Sequence, residues 1–374
     1  MKKIINILAV TVLGGLILSS CDNDDTTNDI ATHGLEVTSA KTSFAAAGGT
    51  NSIMVAAKPI AAYTNDSWAK VAIDGNTVNV TATQNNDIQT RHASVVIKSS
   101  EADSAVVNID QDGMVFEIAN SSVTLQDAAM TQKVYVSHNL PVTVSTKVDW
   151  LSAAITDDSL AITATENATG QPRQGWVYYT SGNTTDSISV MQFTPEKDIL
   201  GEYNMYYMSK NKWYATGVSI DKEADGSYAM HFTDEDLAGL GWSVPVTIGT
   251  DKPEFTFTNL SKIGELQGKS VLWMVIADDG EYVYTSKSTD VTATAAWTVD
   301  ETGTPFWPVT QKGFESSYEF YAFRLGLSSD GKTYDKTLGS ILDFVYAQFE
   351  KVTPESGSGA KASISRSLLM PARH

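Results

Sequence analysis

The sequence predicts an all-β protein: two small sandwiches in tandem, then an antiparallel β-barrel or larger sandwich. Three observations lead there. Polar and apolar residues alternate over short runs such as Thr77-Val78-Asn79-Val80-Thr81-Ala82, the period of a strand with one buried face. Turn clusters, among them Gly48-Gly49, Asp74-Gly75-Asn76 and Gly182-Asn183, punctuate these runs with no helical periodicity between them. A set of residues also recurs at a fixed displacement, which marks repeated units.

Trp68, Asn85 and Arg91 return as Trp150, Asn167 and Arg173, each 82 residues further on, and Val78 and Val80 return at the same displacement as Leu160 and Ile162. Val107, Ile109 and Gln111 return as Ile188, Val190 and Gln192, displaced by 81. The repeats span residues 35–113 and 114–195, each long enough to close one small antiparallel sandwich. Trp68 and Trp150, each just ahead of a strand, read as core plugs. Arg91 and Arg173 read as donors to backbone carbonyls. Trp176, Tyr178 and Tyr179 fall within four consecutive strand residues, so at least one must face away from the core.

With the tryptophan ahead of a strand, the Asn-x5-Arg loop and the closing glutamine of the last strand, both repeats resemble BACON domains. That resemblance implies immunoglobulin-like sandwiches of the kind found in surface and secreted proteins of Bacteroidota, often beside carbohydrate-active modules. It also implies either carbohydrate binding or a spacer role. The first repeat departs from the aromatic-rich form, with Ser94 and Val96 where the second has Trp176 and Tyr178.

Residues 196–353 form a third region of different composition: 25 of the 35 aromatic side chains lie between 198 and 352, so this domain is built differently from the repeats. The opening Gly201-Glu202-Tyr203-Asn204-Met205-Tyr206-Tyr207 is followed by strand-turn-strand segments hinged at Asp225-Gly226, Asp279-Gly280 and Asp330-Gly331. About eight antiparallel strands are expected. Leu338, Ile341, Leu342, Val345 and Phe349 fit a helical stripe, while Leu342, Phe344 and Tyr346 fit a strand; the surrounding turns favour a closing strand. The opening and the meander resemble lipocalin-like barrels of Bacteroidota surface lipoproteins.

The amino terminus carries its own signal. Lys2 and Lys3 precede an apolar run from Ile4 that ends in Leu18-Ser19-Ser20-Cys21, and Cys21 is the one cysteine of the chain. The layout is that of a secretory signal, and it resembles a bacterial lipobox, which implies cleavage before Cys21 and acylation there. Residues 1–20 are then a signal peptide, 21–34 an acidic flexible tether opening Asp22-Asn23-Asp24-Asp25, and 354–374 a disordered tail. The acidic cluster behind the lipobox resembles the export signal that places lipoproteins of Bacteroidota on the outer membrane, facing the exterior. The membrane is then met through the lipid alone.

A formal charge of −18 argues against nucleic acid as a partner. His33, His92, His138, His231 and His374 are scattered without metal-ligand spacing, so neither a metal nor another cofactor is expected. No nucleophile elbow is present, and Asp234-Glu235-Asp236 reads as a solvated turn, so no catalytic residue is assigned. Candidate ligand contacts lie in the third region. Trp297, Phe306 and Trp307 flank a polar Gly/Pro-containing segment with Asp300 and Glu301 as companions, and Trp242 sits in a second such loop. Aromatic faces stack on the C–H faces of sugars while carboxylates take hydroxyls. Together with Trp176 these residues point to a noncatalytic glycan-binding protein, the sandwiches acting as stalk and the third region as binding end. The alternative is an adhesion, scaffold or spacer module with a surface protein as partner.

Overall fold

A computed structural model describes residues 34–353 of the chain. The expected signal peptide, Cys21, the tether up to residue 33 and the tail from residue 354 lie outside the described residues. Two compact units divide the chain: one takes most of the first sandwich, and the other takes Gln111 onward together with Ala45–Ala47 and Gln84–Arg91.

The first sandwich has two sheets of four strands. One runs Val37–Ala40, Gly49–Val55, Thr77–Ala82, Ala69–Asp74; the other runs Ser43–Phe44, Ser104–Gln111, Arg91–Lys98, Ala61–Tyr63. The alternation read in Thr77–Ala82 places Val78 and Val80 inward, where they meet Ile53, Val95, Ile97 and Ile109. Each such side chain contributes about 1.5–3 kcal/mol by leaving water.

The second sandwich repeats that topology strand for strand. Phe116–Ile118, Met130–His138, Ser159–Ala164 and Leu151–Thr156 form one sheet; Ser122–Leu125, Thr184–Gln192, Arg173–Ser181 and Val142–Thr146 form the other. The hairpin registers coincide as well, Ala69 facing Ala82 in the first copy and Leu151 facing Ala164 in the second. The 82-residue displacement is therefore a displacement of whole strands.

The aromatic-rich region contains a closed ring of eight strands. Gly201–Ser209, Lys212–Lys222, Tyr228–Phe232, Ser243–Ile248, Glu254–Thr258, Thr292–Ala296 and Pro305–Lys312 follow in order, and Ser340–Lys351 closes the ring. It does so through Trp307 opposite Phe349 on one edge and Tyr203 opposite Lys351 on the other. The expected closing strand is therefore present. Its mixed periodicity has a cause: Tyr346 adopts a left-handed conformation, φ 52°, and the register against Gly201–Ser209 shifts beside it. A bulge of this kind breaks the period of two and imitates a helical stripe.

Ser340–Lys351 also carries a branch. Its first half pairs with Glu319–Ser328, which leads to Lys269–Asp278 and then Ser261–Leu266. Lys269–Asp278 is buried on both faces: Val271, Trp273 and Val275 enter the main core, while Leu272, Met274 and Ile276 form a second, smaller one with Leu260 and Ala322. The main core is filled by side chains, with Tyr203, Phe255, Phe257, Trp307 and Phe349 packed at ring distances of 5.1–6.4 Å.

Candidate functional site

The residues that recur between the repeats are structural staples. Gln192 is fully buried at the end of its strand; its Nε2 donates to the carbonyls of Gln126, Asp127 and Thr165 at 2.9, 3.1 and 3.0 Å, and its Oε1 accepts from Arg173 Nε at 2.9 Å. Arg173 donates onward to the Thr165 carbonyl and covers the Trp150 ring at 4.3 Å. Burial lowers the pKa of this guanidinium, and Asp127 partly offsets the effect. The first copy repeats the device: Arg91 Nε donates to Gln111 Oε1, and Gln111 Nε2 to the carbonyls of Ala45 and Ala46. Asn85 and Asn167 each donate to a carbonyl four residues on and accept from the backbone two residues on. A buried amide and a guanidinium thus satisfy carbonyls that the strand ladders leave over.

The structure separates the aromatic candidates of the third region. Trp307 and Trp242 are 1% and 2% exposed, both within the barrel core. The expectation that they sit on ligand-facing loops is corrected: Trp307 lies in Pro305–Lys312 and turns inward against Tyr203 and Phe255, and Trp242 packs where Gly264 leaves room for its ring. Trp297 is half-buried against the same core. The polar segment between them is a tight hairpin, Thr298–Val299 pairing with Phe306 and Pro305. Asp300 holds its turn: Oδ1 accepts from the amides of Thr302 and Thr304 at 2.8 and 2.9 Å and from the Thr302 hydroxyl at 2.6 Å. Glu301 is exposed at its tip.

Phe306 alone of that cluster lines a groove, one of about 720 Å³. The groove follows from the fork in the sheet. Pro305–Lys312 and Glu319–Ser328 lie along the same edge of Ser340–Lys351, one on each half, and then diverge. Tyr346, Ala347 and Gln348 line the cleft between them. Phe306, Phe314, Tyr318 and Phe320 supply ring surface from the two arms and their connection, with Lys312, Glu319 and Ser316 at hand. Gln311 spans the arms, its Nε2 donating to the Tyr318 carbonyl at 2.6 Å and its Oε1 accepting from the Phe314 amide at 3.2 Å. Tyr318 is braced from behind by Tyr284, the rings stacked at 4.4 Å, and the Tyr284 hydroxyl donates to Asp279. Sequence reading missed Phe314, Tyr318 and Tyr346. The density of rings between 306 and 320 was the available signal for the first two.

A second exposed aromatic surface lies on the second sandwich. Trp176 is 40% exposed on the outer face of Arg173–Ser181, opposite Ser189, and Tyr178 lies beneath the Lys147 ammonium at 4.6 Å. Val177 faces inward, and Tyr179 packs towards the core against Phe116. On the first sandwich, Ser94 and Val96 leave instead a hollow of about 560 Å³ bordered by Tyr63, His92, Asn108 and Asp110.

Sequence comparison accounts for the repeats. Residues 58–112 and 140–193 match the BACON family, described as "Putative binding domain, N-terminal". The two matched segments start 82 residues apart and cover the staples, the hollow and Trp176. No curated protein matches the chain. Among solved structures, a variant endo-fucoidan hydrolase of glycoside hydrolase family 107 aligns at 11% identity over 45% of this chain and 30% of its own, with a TM-score of 0.24. A tandem of titin domains aligns at 9% identity over 76% of this chain and 97% of its own, with a TM-score of 0.32. This chain thus spans under a third of the hydrolase.

Proposed function

We propose that this protein is a lipid-anchored surface protein that binds glycans without catalysis, its BACON repeats acting as stalk and its aromatic-rich domain as binding end. The fork groove carries the reading. Its rings offer flat faces for the C–H surfaces of a sugar, and the amide and carboxylate groups beside them suit hydroxyls. Trp176, exposed opposite Ser189, offers a further platform of the same chemistry. The lipobox-like string ending in Cys21 supports attachment through acyl chains, and the acidic cluster behind it supports the outer face of an outer membrane of Bacteroidota type.

Retention of the full chain on immobilised plant, mucin and host glycans tests this. Phe306→Ala and Tyr318→Ala should each weaken retention about tenfold, the equivalent of about 1.4 kcal/mol. Absence of retention on every glycan would remove the reading. For the anchor, mass spectrometry should find an acylated Cys21 at the mature amino terminus, and Cys21→Ser should release the protein from membranes. A second reading, a scaffold for a surface protein, is favoured by sandwich edge strands such as Val142–Thr146, to which a partner strand could add. Capture of one defined surface protein, lost when that edge is blocked, would favour it.

A further inference from the structure

Where the second sandwich meets the barrel, the chain buries three charged side chains beside an exposed fourth. Asp127 follows the strand Ser122–Leu125, Lys197 and Asp198 end the short helical turn Pro195–Asp198, and Lys351 ends the strand that closes the barrel. Asp127, Asp198 and Lys351 are buried; Lys197 is exposed. The Lys351 ammonium donates to the carbonyls of Gly170, Lys197 and Asp198 at 3.1, 3.2 and 2.8 Å, so one cation draws sandwich, linker and barrel together. Lys197 Nζ donates to the Asn167 carbonyl at 2.8 Å and lies 2.9 Å from Asp127 Oδ2.

Each carboxyl group has one oxygen held by an N–H donor. Asp127 Oδ1 accepts from Asn167 Nδ2 at 3.1 Å, and Asp198 Oδ2 accepts from the Thr194 amide at 2.8 Å. Of the remaining oxygens, Asp127 Oδ2 faces the Lys197 ammonium, whereas Asp198 Oδ1 is buried beside Asp127 without a hydrogen-bond donor. Two ionised carboxylates so placed repel, whereas a proton on Asp198 satisfies its buried oxygen in a short, charge-assisted O–H···O⁻ bond to Asp127.

We propose that Asp198 holds a proton that it donates towards Asp127, and that this proton tightens the joint between the second sandwich and the barrel in mildly acidic medium. The other charges at the joint do not remove the need for it. Lys197 serves Asp127, Lys351 is spent on carbonyls, Arg173 is held by Gln192, and Glu166 adds negative charge facing Lys197. Tyr203 faces Asp198 with its hydroxyl already donated to the Ile199 carbonyl. Burial raises the Asp198 carboxyl to about 6; the Thr194 amide opposes this and Asp127 adds to it. Because the folded value lies above the unfolded one, the protonated carboxyl contributes stability that is complete below the ordinary aspartate range and is lost as pH rises through about 6.

Thermal unfolding of the full chain at about pH 5 and about pH 7, with amide exchange across 194–199, tests the proposal. Wild type should lose about 2–4 °C in Tm of the sandwich–barrel unit on going to the higher pH and exchange faster at the linker. Asp198→Asn, which keeps a donor towards Asp127 at every pH, should abolish both differences, and Asp127→Asn should do the same. A carbon-13 titration of the aspartate carboxyls in wild type provides the readout if a variant fails to fold. The proposal is overturned if Asp198→Asn keeps the wild-type pH response, or if no aspartate titrates above the ordinary range.

Discussion

In the first sandwich Tyr63 stands opposite Val96; at the same register in the second, Ser145 stands opposite Tyr178. The ring has changed strands. One step away Ser94 and Trp176 occupy equivalent outer positions, and on the inner face Ala93 corresponds to Gly175. A Cβ at Gly175 would approach Leu151 Cδ1 to 2.7 Å and Val148 Cγ2 to 2.9 Å; the Ala93 methyl is simply buried. Against these changes the amide–guanidinium staples are the same in both copies. The contrast teaches that the closing hydrogen bonds fix this sandwich, while its outer face is free to become a hollow or a platform.

The largest effect should come from the staples. Gln192→Ala strips the Arg173 partner and leaves buried carbonyls unpaired, which should cost about 3 kcal/mol in urea unfolding; Gln111→Ala should cost a similar amount in the first copy. A loss in one copy without the other would break the equivalence. Next in size, Gly175→Ala should destabilise the second sandwich by about 1–2 kcal/mol through overpacking, whereas Ala93→Gly in the first should cost about 0.5–1 kcal/mol. Equal and small losses would show that the inner faces do not differ as described. Smallest of all, Ser94→Trp with Val96→Tyr, and Trp176→Ala, should each change stability by no more than about 0.5 kcal/mol. Their effect should appear in glycan retention, which the first should raise and the second lower.

Much of this plan is legible in the chain. The constant displacement marks the staples in the sequence itself, because a buried glutamine that closes a sandwich must return at the same place when the sandwich returns. The hairpin turns at Gly75, Gly226 and Gly280 lie at positive φ, as their sequence context implies. The site was less legible. Pro305-Phe306-Trp307-Pro308 reads as a loop because two prolines suggest one, yet Pro305 begins the strand and Pro308 lies within it beside the fork. Asp300 looked available for a ligand because turn-capping carboxylates and binding carboxylates share a sequence context. The groove itself depends on Ser340–Lys351 having two partners on one edge. Those pairings join Phe349 to Trp307 on one half and Val345 to Ala322 on the other, and leave no local pattern beyond the broken period at Tyr346.

The strand buried on both faces bears on the life of the chain before it folds. Val271-Leu272-Trp273-Met274-Val275-Ile276-Ala277 is seven residues without charge, proline or glycine, and an unfolded polypeptide displaying it could stack against its own copies as readily as against its proper neighbours. Lys269 on one side and Asp278-Asp279 on the other act as electrostatic gatekeepers. Replacing exposed Lys269 with serine should raise the fraction recovered as inclusion bodies, whereas Asp279 also holds the turn that braces Tyr284 and would cost the finished domain as well.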